Sequence, residues 1–222
     1  MLVHSPLVGP STMAPLAARL RTRGWATVVP DLRSAVSAPA RFGRAVAEAA
    51  DSADVVVGHS GAGPFLPAVG GGTTIYVDAV VPPAQPEFRP PPSLVRLLDA
   101  LAINDGWLPP WNEWWPPQVL VDLVPDAGLR ARLAAEVPRV PRSFYDAPVA
   151  LPPQWWTRPA GYIQLSQAYE DDRRRALGWG WPTGRLLGGH LDVCVRPDAV
   201  AEQVVELVDR LQWARPPAQE ED

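Results

Sequence analysis

The apolar positions at the start of this chain alternate between short solid runs and one-sided helical stripes. Leu2-Val3 opens the chain and a turn-rich segment, Ser5 to Pro10, follows. Met13, Leu16, Ala17 and Leu20 then recur at the spacing of one helix face, with Ser11 or Thr12 placed to cap it and Gly24 to end it. Residues 25–29 form a β-branched run stopped by Pro30-Asp31, and 39–50 form a second helix with Phe42, Val46 and Ala49 on one side. Asp54-Val55-Val56-Val57 reads as a strand buried on both faces. A helix of small residues starts near Gly61 and is broken by Gly70-Gly71-Gly72, and 73–77 are again a strand, ending at Asp78-Ala79. Strand and helix in regular alternation predict a mostly parallel sheet flanked by helices, an α/β fold whose ligands sit beyond the carboxyl ends of the strands. His4, Asp31, Ser60 and Asp78 all fall at such ends, although Asp31 is explained more simply as a turn residue after Pro30.

The pattern breaks between 82 and 159. Seventeen of the 28 prolines and six of the 10 tryptophans lie there, and Pro82-Pro83, Pro90-Pro91-Pro92 and Pro116-Pro117 forbid long regular elements. Short helices are expected at 94–103, 118–123 and 127–137. The segment is too apolar for a disordered linker, because its tryptophans need burial or a ligand. It is expected to be an inserted helical cap over the strand ends. Trp107, Trp111, Trp114 and Trp115 are candidates to bind an apolar substrate there, or to form the cap's own core. Alternation returns with a strand at 161–166, a charged helix at 169–177, a short strand at 185–187 and a helix from Pro197 striped by Val200, Val204, Leu207, Val208 and Leu211. The expected organisation is a core of 1–81 and 160–214, the cap at 82–159 and a frayed tail at 215–222.

Composition narrows the function classes. The 222 residues suit one domain, or one domain with an insertion, and 20 Arg without any Lys give a net charge of −4. That balance gives no support to nucleic-acid binding. No basic leader and no run of ~18–20 apolar residues is visible. A single cysteine, Cys194 between two valines, rules out an internal disulfide and suits a reducing compartment. The expectation is a cytoplasmic protein, not at a membrane, with a small-molecule partner and an open oligomeric state. No Cys/His cluster has metal-ligand spacing and no glycine pattern matches a phosphate or dinucleotide loop, so neither metal nor cofactor is expected.

The chemistry concentrates at Gly58-His59-Ser60-Gly61-Ala62-Gly63. Small residues at the end of a buried strand permit a tight turn that lifts a serine hydroxyl off the backbone, and strand–G-x-S-x-G–helix is the signature of that arrangement, here with Ala62 in its last place. A serine needs a base, since its free hydroxyl is barely ionised at neutral pH. His190 follows a glycine pair on a loop and is the natural choice. His59 reads as support for the turn, His4 as packing beneath the first loop.

The stretch resembles the nucleophile elbow of the α/β-hydrolases. Leu2-Val3-His4 with its turn looks like the strand and oxyanion loop of that family, and Gly188-Gly189-His190 like its histidine loop. The order serine, insertion, histidine agrees with the family, and the resemblance spans essentially the whole chain. It implies an α/β-hydrolase fold whose sheet begins at the His4 strand, without two strands that often precede it. It also implies a Ser60, His190 and acid triad. Asp78 is the first choice of acid and Glu170 the alternative. Glu170 heads an acidic trio followed by three arginines and reads equally as a solvated helix start. For the oxyanion hole the resemblance implies the N–H of Gly61 and a donor from the first loop. Pro6 stands where that donor is usual and has no N–H, which leaves Leu7 or no second donor. The implied activity is hydrolysis of an ester or thioester of an apolar small molecule. A lyase, cyclase or non-hydrolytic binding protein on the same scaffold is the competing expectation.

Overall fold

The computed structural model describes residues 1–213, so the expected frayed tail at 215–222 lies outside the described residues. Five strands, β1 (Leu2–Val3), β2 (Val55–His59), β3 (Thr73–Val77), β6 (Ala160–Gln164) and β7 (Thr183–Arg185), form one sheet in the order β1-β2-β3-β6-β7. Every neighbouring pair in it is parallel. Side chains alternate across it with the period of two that a strand imposes. Val57, Ile75, Val77 and Ile163 face α1 (Ala14–Thr22) and α8 (Pro197–Trp213), whose Leu16, Leu20, Val204 and Leu207 complete that layer. Val56, Tyr76 and Tyr162 face the other way, toward Phe42 and Val46 of α2 (Pro39–Ala50), Phe65, and Ala176 of α6 (Glu170–Gly178). Burial on both faces, worth about 1.5–3 kcal/mol per large apolar side chain, is why the central strands are solid runs of Val, Ile and Tyr.

Several local expectations are corrected. Residues 25–29 are not a strand. From β1 the Leu2 N–H reaches them at the Val28 carbonyl, while the Thr27 hydroxyl donates to the Ala17 carbonyl and the Thr27 carbonyl accepts from Arg21, both of α1. Neither Ser11 nor Thr12 caps α1; Ser11 binds the Glu136 carboxylate instead. The segment after β2, Ser60–Ala68, is a 3₁₀ helix because Pro64 and Pro67 remove N–H donors that an α-helix would need. The last strand lies two residues earlier than expected, since Thr183 to Arg185 take the register opposite Tyr162 to Gln164 while Leu187 is half exposed.

Between β3 and β6 the chain makes an excursion of short pieces. These are α3 (Pro92–Asp99), α4 (Pro117–Leu123) and α5 (Ala127–Ala135), with an antiparallel pair of β4 (Glu87–Phe88) and β5 (Val149–Ala150) that the sequence pattern did not announce. Prolines open α3 and α4, where the missing N–H costs nothing, and Asp126 caps α5 through the Leu129 N–H. The short helix α7 (Asp192–Val195) joins the end of the sheet to α8. Among the described residues, no helix is long and apolar enough to cross a membrane.

Candidate active site

Three strand ends and one loop build the site. Strand β2 delivers Ser60, whose φ of 58° is left-handed, a conformation that costs a non-glycine residue about 1–3 kcal/mol. The turn is held by close approach: a Cβ on Gly63 would lie 1.9 Å from the Val80 carbonyl oxygen, so only glycine fits beneath the turn. The Val80 N–H in return donates to the Ser60 carbonyl.

Asp78 follows β3, is fully buried, and also has a left-handed φ, 42°. One carboxylate oxygen accepts the N–H groups of Leu165 and Ser166 at 2.8 and 2.9 Å. The other accepts the Ser166 hydroxyl at 2.6 Å and the His190 Nδ1–H at 2.7 Å. Burial alone would raise this carboxyl; the hydrogen bond and charge of His190, with the Ser166 bonds, outweigh it and hold Asp78 below its ordinary value. With Nδ1 donating to Asp78, Nε2 of His190 carries the lone pair, and Ser60 Oγ lies 2.9 Å from it.

The loop carrying His190 is fastened at both ends. Asp192 accepts the Gly189 N–H at 2.9 Å and pairs with Arg196. His59 Nε2–H donates to the His190 carbonyl at 2.9 Å. Burial and the neighbouring His190 push the His59 imidazolium down to about 3, so its ring is neutral and serves as a fixed donor. His4 is equally buried, joining the Ser5 carbonyl through Nδ1–H and the Leu32 N–H through Nε2, and burial lowers its pKa as well.

Two of the candidate acids separate cleanly. Asp78 meets His190, whereas the Glu170 carboxylate is taken by Arg173 and Arg174 on its own helix, with Arg185 nearby. Glu170 is therefore a helix-start charge cluster, the simpler of its two sequence readings. Asp31 forms a turn pair with Arg33. Of the oxyanion candidates, Gly61 sits in the first turn of its 3₁₀ helix, where N–H groups lack intrahelical acceptors. The Leu7 N–H, by contrast, donates to Ser5 Oγ at 3.3 Å.

Tyr169, which the sequence pattern places only at a helix start, also enters the site. The Tyr169 ring stacks on His190 with centroids 5.0 Å apart and planes 6° from parallel, and its hydroxyl lies 3.3 Å from Ser60 Oγ. Because Ser60 gives its own proton to His190 Nε2, the Tyr169 hydroxyl is the donor in this contact. Its only sequence signal is position, one residue before the candidate acid Glu170 and shortly after β6.

A cavity of about 430 Å³ opens beside the serine turn, bordered by Pro6, Gly61 and Tyr169 and walled by Phe65, Leu94 and Phe144. None of the four candidate tryptophans lines it. Trp111 and Trp115 instead border a separate cavity of about 550 Å³ between α4, α5 and the first loop. Trp114 donates its indole N–H to the Pro109 carbonyl, and Trp107 packs under the Arg139 guanidinium. The four candidate tryptophans thus lie away from the cavity beside Ser60, whose apolar wall comes from phenylalanine and leucine side chains.

Asp172 also borders the smaller cavity, accepting the Val81 N–H at 2.8 Å. Burial pushes its carboxyl up to about 6, against the Val81 bond and Arg175. A raised carboxyl makes the ionised folded state the costly one. The penalty is complete above pH 6, shrinks as pH falls toward the ordinary value near 4, and is absent below it. Asp172→Asn is expected to be more stable than wild type at pH 8, by about 2–3 kcal/mol, with the advantage vanishing below pH 4. Thermal unfolding from pH 3.5 to 8 checks this; parallel curves for the two proteins would refute it.

The fold is the α/β-hydrolase fold. Among solved structures, an extracellular α/β-hydrolase from a Paenibacillus species, described as sharing structural and functional homology with tobacco salicylic acid binding protein 2, superimposes with a TM-score of 0.74. It is 16% identical over 93% of this chain and 97% of its own. A pyrethroid hydrolase from Sphingobium faniae JZ-2 gives a TM-score of 0.63 at 16% identity, covering 94% of this chain and 96% of its own. The thioesterase domain from the curacin biosynthetic pathway gives 0.59 at 15% identity, over 92% and 89%. No protein-family model matches the chain, and no curated protein matches it.

Proposed function

We propose that this protein is a serine hydrolase that cleaves an ester or thioester of an apolar small molecule through an acyl-enzyme on Ser60. The observation that carries the reading is the unbroken relay from Ser60 Oγ to His190 Nε2 at 2.9 Å and from His190 Nδ1 to Asp78 at 2.7 Å. In this reading Ser60 Oγ attacks the acyl carbon while His190 takes its proton, and Asp78 stabilises the imidazolium that forms. His190 then protonates the leaving group, and water, deprotonated by the same nitrogen, releases the acid. The 430 Å³ cavity, apolar on most of its wall, suits a small acyl or alcohol group of low polarity. The excursion between β3 and β6 acts as a cap, since Leu94 and Phe144 come from it. The hydrolase and thioesterase among the similar structures are in keeping with this class of reaction.

The competing reading, a binding protein without turnover, draws on Pro6 and on the Leu7 N–H being turned to Ser5. A fluorophosphonate probe separates the two. Labelling of the folded protein is expected at Ser60, located by peptide mass spectrometry. Folded protein that stays unlabelled would overturn the hydrolase reading.

A further inference from the structure

We propose that the Tyr169 hydroxyl is the second donor to the oxyanion, standing in for the backbone N–H that Pro6 lacks; this rests on the acyl-enzyme reading above. Three observations point to it. The loop after β1 offers no free N–H at the usual place: Pro6 has none, and the Leu7 N–H is engaged by Ser5 Oγ. The Tyr169 hydroxyl is 3.3 Å from Ser60 Oγ, and with the Ser60 proton directed to His190 Nε2 it is the donor of that contact. Pro6, Gly61 and Tyr169 border one cavity, so Tyr169 faces the same space as the Gly61 turn.

The chemistry follows the change in charge on attack. As the bond from Ser60 Oγ to the acyl carbon forms, the π pair of the C=O moves onto its oxygen and the Ser60 proton moves to His190 Nε2. Ser60 Oγ becomes an ester-type oxygen and a weak acceptor, while the oxyanion, bonded to the same carbon, becomes a strong one. The Tyr169 O–H exchanges the first acceptor for the second, an interaction stronger in the transition state than in the free enzyme. The phenol keeps its proton, since burial raises its pKa well above the ordinary value. When the intermediate collapses, the pair returns to re-form C=O and the leaving group departs with the proton from His190. The stack of the Tyr169 ring on His190 holds the hydroxyl in place.

Tyr169→Phe removes the hydroxyl and keeps the stacked ring. With p-nitrophenyl butyrate as substrate, kcat is expected to fall about 10²–10³-fold with KM within a few-fold, and fluorophosphonate labelling of Ser60 to slow in step. A ring-fluorinated tyrosine at 169, more acidic than tyrosine, supplies an independent readout. It is expected to keep activity at neutral pH and lose it at a lower alkaline pH than wild type, because an ionised phenol cannot donate. Ser5→Ala is run alongside, with thermal unfolding to verify folding of each variant. A Tyr169→Phe protein with wild-type kcat and labelling rate would overturn the proposal and leave the hydrolase reading intact. So would a loss that appears in Ser5→Ala alone, or one confined to KM. Wild-type protein that neither turns over ester nor labels would instead remove the hydrolase reading itself.

Discussion

Ser60→Ala is expected to fold as wild type does and to lose about 10⁴–10⁶-fold in kcat toward p-nitrophenyl esters. The size of the loss follows from what else the site contains. Without Oγ the His190 Nε2 lone pair has no serine proton to take, and any remaining turnover must come from water activated by His190. The stability effect is small by comparison. Oγ gives up one bond to His190 and one from Tyr169 in a partly buried position, and the left-handed backbone at residue 60 is kept. A shift within about 1 kcal/mol in chemical denaturation is expected. Steady-state turnover at high enzyme concentration, with the unfolding curve measured on the same sample, checks both halves. A loss under tenfold would place the nucleophile elsewhere.

Asp78→Asn is expected to cost as much in rate, about 10⁴-fold in kcat, and far more in stability. The carboxylate accepts four hydrogen bonds, from the Leu165 and Ser166 N–H groups, the Ser166 hydroxyl and His190 Nδ1–H. An amide has one oxygen to offer. Kept on the two backbone donors, it presents NH₂ to the imidazole, which must then accept at Nδ1 and carry its proton on Nε2, where it can no longer take one from Ser60. Loss of charge-assisted bonds in a fully buried place is expected to cost about 2–4 kcal/mol. The pH dependence has a definite sign. The folded Asp78 carboxyl is held below its ordinary value, so its stabilisation is present above about pH 4 and is lost as pH falls through the lower folded value. Wild type and variant should therefore differ most in denaturation midpoint near neutrality and converge in acid. A constant gap down to pH 2 would contradict this account.

Much of this architecture can be read from short-range pattern. The valine run of β2, the proline start of α2 and the stripe of α8 are each decided within a dozen residues, and the parallel sheet follows from their alternation. Ser60 and His190 stand out for the same reason, because a tight turn and a glycine pair announce themselves locally. The structure then brings them together across 130 positions. Other features have no local signal. Nothing near Tyr169 indicates that its ring lies flat on an imidazole and its hydroxyl meets a serine 109 positions away. The tryptophans show the limit from the other side: their composition predicts burial, yet Trp115 stays exposed and Trp107, Trp111 and Trp114 are only partly covered. Residues 25–29 carry strand-forming side chains and still remain outside the sheet, since strand identity requires a neighbour with free backbone groups.

The anchorage of Asp78 ties the tip of β3 to the tip of β6, so one carboxylate is both the partner of His190 and a rivet in the sheet. Both residues have left-handed backbone, but the Ser60 side chain meets only His190 and Tyr169 and joins no second strand, so glycine would fill its position at lower cost. Mutational drift in a lineage freed from selection for turnover would meet these two residues unequally. The serine could be exchanged with a gain in stability, whereas a change at the aspartate such as Asp78→Asn would cost about 2–4 kcal/mol. A descendant in which residue 60 had drifted to glycine would still carry Asp78, held there by the sheet.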